Sequence, residues 1–543
     1  MKKPLFFVLL LFYLFSFHDF YGQSQKPINI DYSDFNDVDE DLVPGAFLLS
    51  GNVRMTHDGA VITCNKAYYF KKENYLKAFG NVQIVQGDTL YLNSEYAEYS
   101  GNIKQAFATG NPVLRSPDMN LKTDTINFDR NSQEAFYKST GVIVNKENTL
   151  KSKSGRYYAK QKKFKFLTAV TVTNPKYVIK SNHLDYYNNS GHSYLFGPST
   201  ITGKDNFIYT EKGFYNSKKN TGHFLRKSYI KYKDRIITGD SLYYDRNIEF
   251  ASATNNVVIT DSINKGLVKG HYAEIYKQKD SMFVTKHAVA MNLVDKDTLY
   301  IHGKRLLVTG KPDNRIIKAF NNARFYKIDL SGKCDSIHSS TKTALTKLIK
   351  NPVLWNGENQ MTGDVIHLIG DNKTEKLDSL KVLNNAFIIS VDTLGKGYNQ
   401  TKGLNLYGKF VDNKLTEVDI IKNTEVIYYA YDKKEFIGIE KKISSKIKMV
   451  MENNKVRTLT SYKNVESYTY PEKDFPENVR KLRGFIWRGD ERIKSKEEIF
   501  PQDEIDLHEK ILAISRKENQ KPIIPMKIRK ETKDFDKKKT LKK

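Results

Sequence analysis

Cysteine and tryptophan are almost missing from this chain, with two of each among 543 residues. Cys64 and Cys334 can form at most one bridge, so disulfides do not hold the fold together and an ordinary apolar interior must. Their separation says nothing about proximity, and two independent buried thiols are the simpler expectation. Also missing is any apolar run of the roughly 20 residues needed to cross a bilayer as a helix. The nearest stretch, Leu5 to Phe17, follows Lys2 and Lys3, stops at His18 and Asp19, and precedes the small residue Gly22. This is the layout of a secretory signal. Residues 1–22 are therefore expected to be a signal peptide, and the mature chain a periplasmic one, associated with the outer membrane if with any.

Catalytic signatures are lacking too. His508-Glu509 is followed by Lys510, Ile511 and Leu512 rather than completing a zinc-protease motif, and no Gly-x-Ser-x-Gly occurs. Gly403 to Phe410 nearly spells a phosphate-binding loop, but Phe410 stands where a magnesium-holding hydroxyl belongs and no helical pattern follows. His57, His183, His192, His287, His302 and His367 are scattered singly, without metal-site spacing, and read as surface or turn residues. No catalytic residue, metal ligand or cofactor is assigned, and the chain is expected not to be an enzyme.

What is abundant is positive charge: 88 Lys and Arg against 62 Asp and Glu, a net +26 that attracts polyanions. Secretion, and the absence of a recognition helix or stacking motif, argue against nucleic acid. An anionic lipid is the favoured partner.

From about Gly45 to Tyr470 short runs rich in Val, Ile, Thr, Tyr and Phe alternate with Gly, Asn and Asp, which predicts an all-β body. One phrase recurs: Gly51-Asn52-Val53, Gly80-Asn81-Val82, Gly110-Asn111-Pro112-Val113, Asn255-Asn256-Val257 and Asn321-Asn322-Ala323, with Gly141-Val142-Ile143-Val144 and Asn384-Asn385-Ala386 as looser relatives. It reads as a turn opening a strand, because Gly and Asn tolerate positive φ. A second phrase, Asp88-Thr89-Leu90-Tyr91, Asp240-Ser241-Leu242-Tyr243 and Asp297-Thr298-Leu299-Tyr300, also starts strands. Its aspartates recur in every cycle, so they suit backbone capping better than a unique active site. Repetition without helices predicts stacked rungs, a solenoid or serial jelly roll.

After Pro471 the pattern stops. Beyond Pro501 a helix is expected, with Leu507, Ile511 and Ile514 on one face, able to cap the last rung. From Lys521 a basic tail follows, expected to be disordered.

The stretch Ala78-Phe79-Gly80-Asn81-Val82-Gln83-Ile84-Val85-Gln86-Gly87-Asp88-Thr89-Leu90-Tyr91-Leu92-Asn93-Ser94-Glu95 resembles the OstA-like family, which includes the lipopolysaccharide-transport protein LptA and the soluble part of LptD; weaker echoes reach about residue 400. The resemblance implies an open, twisted jelly roll with an apolar groove for acyl chains. It also implies lipopolysaccharide as ligand, OstA-like domains of the inner- and outer-membrane transport machinery as partners, and end-to-end self-association. The chain departs from the family in its length, in everything after Pro471, and in lacking the amphipathic strands of an outer-membrane barrel.

The expected organisation is a signal over 1–22, jelly-roll regions over 28–200 and 201–400, a β-rich extension over 401–500, and a helix with basic tail over 501–543. Alternation and the matching phrases nominate Val53, Val82, Ile84, Leu90, Leu92, Val113, Ile126, Val142, Val144, Val170, Val172 and Leu184 as groove lining. The rival expectation is a β-solenoid scaffold or adhesin with a packed interior; a carbohydrate-active enzyme ranks third.

Overall fold

The computed structural model describes residues 26–520 apart from 88–89, 118, 146, 295–296, 329, 375, 393, 395–396, 433–434, 454 and 478–479. The signal expected over 1–22, the tail from Lys521, and Asp88 and Thr89 lie outside the described residues. Among the described residues, apart from short 3-10 turns and one α-helix, the regular structure is β-strand, and the strand pairings are antiparallel. Two compact units form: one up to Lys204 together with Phe214–Lys219, the other from Asp205–Gly213 and Asn220 onward.

In the first unit the long strands are bent, and the recurring Gly-Asn phrase is the bend. The strand Tyr75–Gln86 runs through Gly80 and Asn81 without ending. The phrase expected to be a turn is a bulge: both residues have positive φ, 69° and 47°, and the pairing with the next strand slips between Phe79 and Val82. Two left-handed residues turn the chain while leaving the ladder free to resume, which is what a bulge does. At Gly80 a side chain is excluded on two counts, since a Cβ would also come within 2.8 Å of Asn65 Nδ2. The strand Phe47–His57 slips in the same way between Ser50 and Val53.

Bends stacked in register fold the ladder into two facing layers, joined along one edge by the bends and meeting at the other through hairpin turns. The layers bury Leu76 and Ala78 before the bend, and Val82 and Ile84 after it. Outward-facing aromatics form cross-strand rows, such as Tyr68, Phe79 and Tyr96, with ring centroids 5.1 Å apart.

The second unit repeats this plan, with slips between Thr254 and Val257, Phe320 and Ala323, and Leu383 and Ala386. Recurring aspartates tie successive bends together: Asn52 donates to Asp34 at 3.0 Å in the first unit, and Asn256 to Asp240 at 2.9 Å and Asn385 to Asp364 at 3.0 Å in the second. Gly403 to Phe410 lie inside the strand Tyr398–Val411, so no phosphate loop forms there. Cys64 and Cys334 are both free and buried, and burial pushes their thiols up to about 11 and about 12.

Strands end at Tyr470. The following residues form an irregular strap across the second unit, and helix α1 (Gln502–Gln520) closes the described chain. The helix lies where the sequence placed it, but on another face and at another site. Glu504, Ile511 and Ser515 are buried, while Leu507 and Ile514 are exposed. It packs on the strand Phe250–Asp261, near the start of this unit, rather than capping the last rung. The docking surface there is polar, so hydrophobic spacing pointed to the wrong side.

Candidate functional site

The interior between the layers is the first candidate. Val53, Val82, Ile84, Leu90, Leu92, Ile126, Val170, Val172 and Leu184 all project into it, none more than 8% exposed. Val113, Val142 and Val144 do not. Pro112 takes the inward position that Val82 takes one rung earlier, so Leu114, paired with Leu92, points inward and Val113 outward. In Gly141-Val142-Ile143-Val144 no Asn follows the Gly. Gly141 and Ile143 therefore face in, and Val144 is 47% exposed.

Along the turn edge, polar side chains clasp one layer to the other. In the first unit Arg130 is the hub: its guanidinium donates to Tyr99 Oη at 2.7 Å, His57 O at 3.1 Å and Asp58 O at 2.8 Å. Tyr99 in turn donates to His57 Nδ1 at 2.7 Å, and His57 Nε2 donates to Lys26 O at 2.9 Å. Burial is the main reason the His57 pKa is lowered, which keeps the ring neutral in this chain of bonds. Farther along, Asn145 and Asn148 donate to Tyr186 Oη at 3.2 and 3.4 Å, beside a polar cleft of about 320 Å³. In the second unit Arg315 donates to Asp261 at 3.1 Å and Asp234 at 3.4 Å.

The clasps are the part of this shell that can open without exposing a broken strand ladder. Replacing Arg130 with Ala removes the donor to Tyr99 Oη, His57 O and Asp58 O at once and should cost about 2–4 kcal/mol. A thermal melt should show the first unit destabilised while the second is unchanged, and an unshifted melt would mean that solvent already wets this edge.

A second surface is particular to the second unit. On the strand Leu377–Val391, Phe387 and Ile389 alternate with Ala386 and Ile388, and all four are buried. One pair faces the interior; the other meets the strap in a cluster of Phe387, Ile389, Ile427, Tyr429, Ile439, Phe475 and Leu482, with Tyr398 and Trp487 packed against it. Two buried glutamines fix the strap as a strand edge would. Gln400 donates to Arg480 O at 2.8 Å and accepts from Leu482 N–H at 2.9 Å; Gln360 donates to Ile486 O at 2.7 Å and accepts from Arg488 N–H at 2.7 Å.

Where strap meets helix, four histidines gather, against the expectation that histidines are scattered. His271 Nε2 and His508 Nδ1 are 2.8 Å apart, His508 stacks on His287 at 4.3 Å, and His287 stacks on Phe500 at 3.6 Å. His302 meets the edge of Phe500 at 5.1 Å. A cleft of about 470 Å³ runs beside them, lined also by Val258, Lys269, Val289, Met291, Tyr300 and Lys496. Among the described residues no group of His, Cys, Asp or Glu is placed to hold a metal ion. The one signal in the sequence was the spacing of His271, His287 and His302, one per bend. His508 carried none.

Residues 25–182 match the model of a family described as OstA-like protein. The matched segment contains the stretch from Ala78 to Glu95 and ends inside the first unit. No curated protein matches the chain.

Proposed function

We propose that this chain, OstA-like over residues 25–182, is a non-enzymatic lipid carrier of the Gram-negative periplasm, holding the acyl chains of lipopolysaccharide between its two layers. The family match carries the reading. The supporting geometry is an apolar interior closed along one edge by side chains alone. Each methylene exposed to water costs about 0.8 kcal/mol, so a continuous apolar lining removes most of the barrier to moving a multi-chain lipid. The clasps at Arg130 and Tyr186 stand where chains enter, and the basic excess suits the phosphates left outside. Delivery by the N-terminal signal, contact with OstA-like domains of the inner- and outer-membrane machinery, and end-to-end pairing of copies belong to the same proposal.

The interior side chains also pack closely on one another, which favours a second reading, a β-scaffold whose work is done on its outer surface. Organic extraction of protein purified from its own periplasm, read by mass spectrometry, separates the two. Stoichiometric lipid A supports the carrier. Protein that is lipid-free and fails to bind added lipopolysaccharide supports the scaffold. Removing residues 521–543 should leave lipid binding intact, because the interior supplies the affinity; loss of binding on that truncation alone would sink the groove.

A further inference from the structure

The hydrogen bonds at the histidine cluster fix its proton positions. Asn256 N–H donates to His271 Nδ1 at 3.2 Å, so Nδ1 is bare and Nε2 carries the proton. Nε2–H then donates to His508 Nδ1 at 2.8 Å, which must also be bare. A second proton on His271 would meet the Asn256 N–H head on; one on His508 Nδ1 would meet the His271 N–H. His302 Nδ1 donates to Ala288 O at 2.8 Å, leaving its Nε2 a buried nitrogen 3.8 Å from Glu504 Oε1. Stacking at 4.3 Å places a charged His508 against His287. The bonds require neutral rings at His271 and His508, and these two come from different parts of the chain: His271 from the sheet, His508 from helix α1.

We propose that this cluster is a proton-operated latch, which holds helix α1 and the strap on the second unit while its imidazoles are neutral and releases them on protonation. The open cleft beside the rings gives protons a path.

The charged surroundings are mixed in sign, so burial and the neighbouring rings set the direction. Facing the rings are Asp240, Lys269, Lys286, Lys304 and Arg324 from the sheet and its bends, Lys496 and Glu497 from the strap, and Asp503, Glu504 and Glu509 from the helix. Burial first, then the neighbouring imidazole, lowers His271 and His287 to about 4; burial also lowers His302 to about 4. Free histidine titrates near 6.5, so above that value neither state takes up protons and docking is indifferent to pH. As pH falls from 6.5 to about 4, the released segment and its platform bind protons that the docked form cannot, and docking weakens. His508 is lowered too, mainly by burial; Glu504, raised by burial, acts the other way, one group against four.

Hydrogen exchange read peptide by peptide, corrected for intrinsic rates, tests this on the full chain. Between pH 7.5 and pH 5, His271 alone should reduce helix protection about thirtyfold, while the strands Phe250–Asp261 and Gly266–Tyr276 keep theirs. In the double variant His271→Gln, His508→Gln, whose amides can hydrogen-bond but not titrate, the pH response should shrink at least about tenfold. Ser515→Ala serves as the control. It removes the bonds to Asp240 and Asn256, so it should lower helix protection equally at both pH values. Unchanged helix protection at pH 5, simultaneous loss in helix and strands, or a full pH response in the glutamine variant would each overturn the latch.

Discussion

Replacing Leu92 with aspartate should abolish lipid binding and unfold the first unit well below its normal melting temperature. Leu92 is 4% exposed and sits between Ile84 and Leu114 on adjacent strands. A carboxylate there has no donor to meet it. Burial without a partner, added to the lost apolar contact, should cost about 4 kcal/mol or more, against a total of about 5–15 kcal/mol for a typical domain. A shift of about 10 °C or more in the first transition follows. The introduced group should carry a raised pKa, so the defect should ease as pH falls below that raised value toward the ordinary carboxylate range, where the folded state binds a proton that the unfolded state does not. Leu92→Ala separates folding from binding. It should cost about 2–5 kcal/mol through the cavity it leaves, yet retain lipid at temperatures where the unit is folded. If Leu92→Asp melted like the parent and still carried lipid, the interior would not be the binding site.

The second large effect concerns the strap. Ending the chain after Tyr470 should turn the second unit into a sticky one, because Phe387, Ile389, Ile427, Tyr429 and Ile439 lose their cover of Phe475 and Leu482. Trp355 and Gln360, both almost wholly buried, lie on strands of the same region. Contiguous bare apolar surface of this kind drives association. The truncated chain should bind a hydrophobic dye and elute as large, mixed species, with its second unit melting earlier. A milder version, Gln360→Ala with Gln400→Ala, keeps the apolar contacts and removes four hydrogen bonds of the strap. It should loosen residues 475–490 in hydrogen exchange without causing aggregation. A truncated chain that eluted and melted like the full one would show that the strap is an ornament.

These expectations rest partly on what the sequence discloses and partly on what it hides. The interior was legible wherever alternation ran unbroken, since a period of two admits one inward set: Val82 with Ile84 and Val170 with Val172 are examples. It misled where a single residue altered the phase, at Pro112 and Gly141. The run Ala386-Phe387-Ile388-Ile389 was itself a sign of a strand covered on both faces, but nothing local says what covers it. Phe475, Leu482, Ile493 and Ile499 follow no period, because a strap without its own secondary structure takes its spacing from the surface it crosses. The helix was visible from its caps, but its buried face, built on Glu504, His508 and Ser515, answers to bends more than 200 residues away.

That distance bears on how the protein is made. Within the stacked layers, paired strands are close along the sequence, so each rung can close soon after it is synthesised. Ser515 and Asp240, by contrast, are 275 residues apart. Contacts of such long range form late and slowly. Until the strap arrives, the second unit stands with its outer apolar face uncovered, and during that interval a chaperone has a surface to hold.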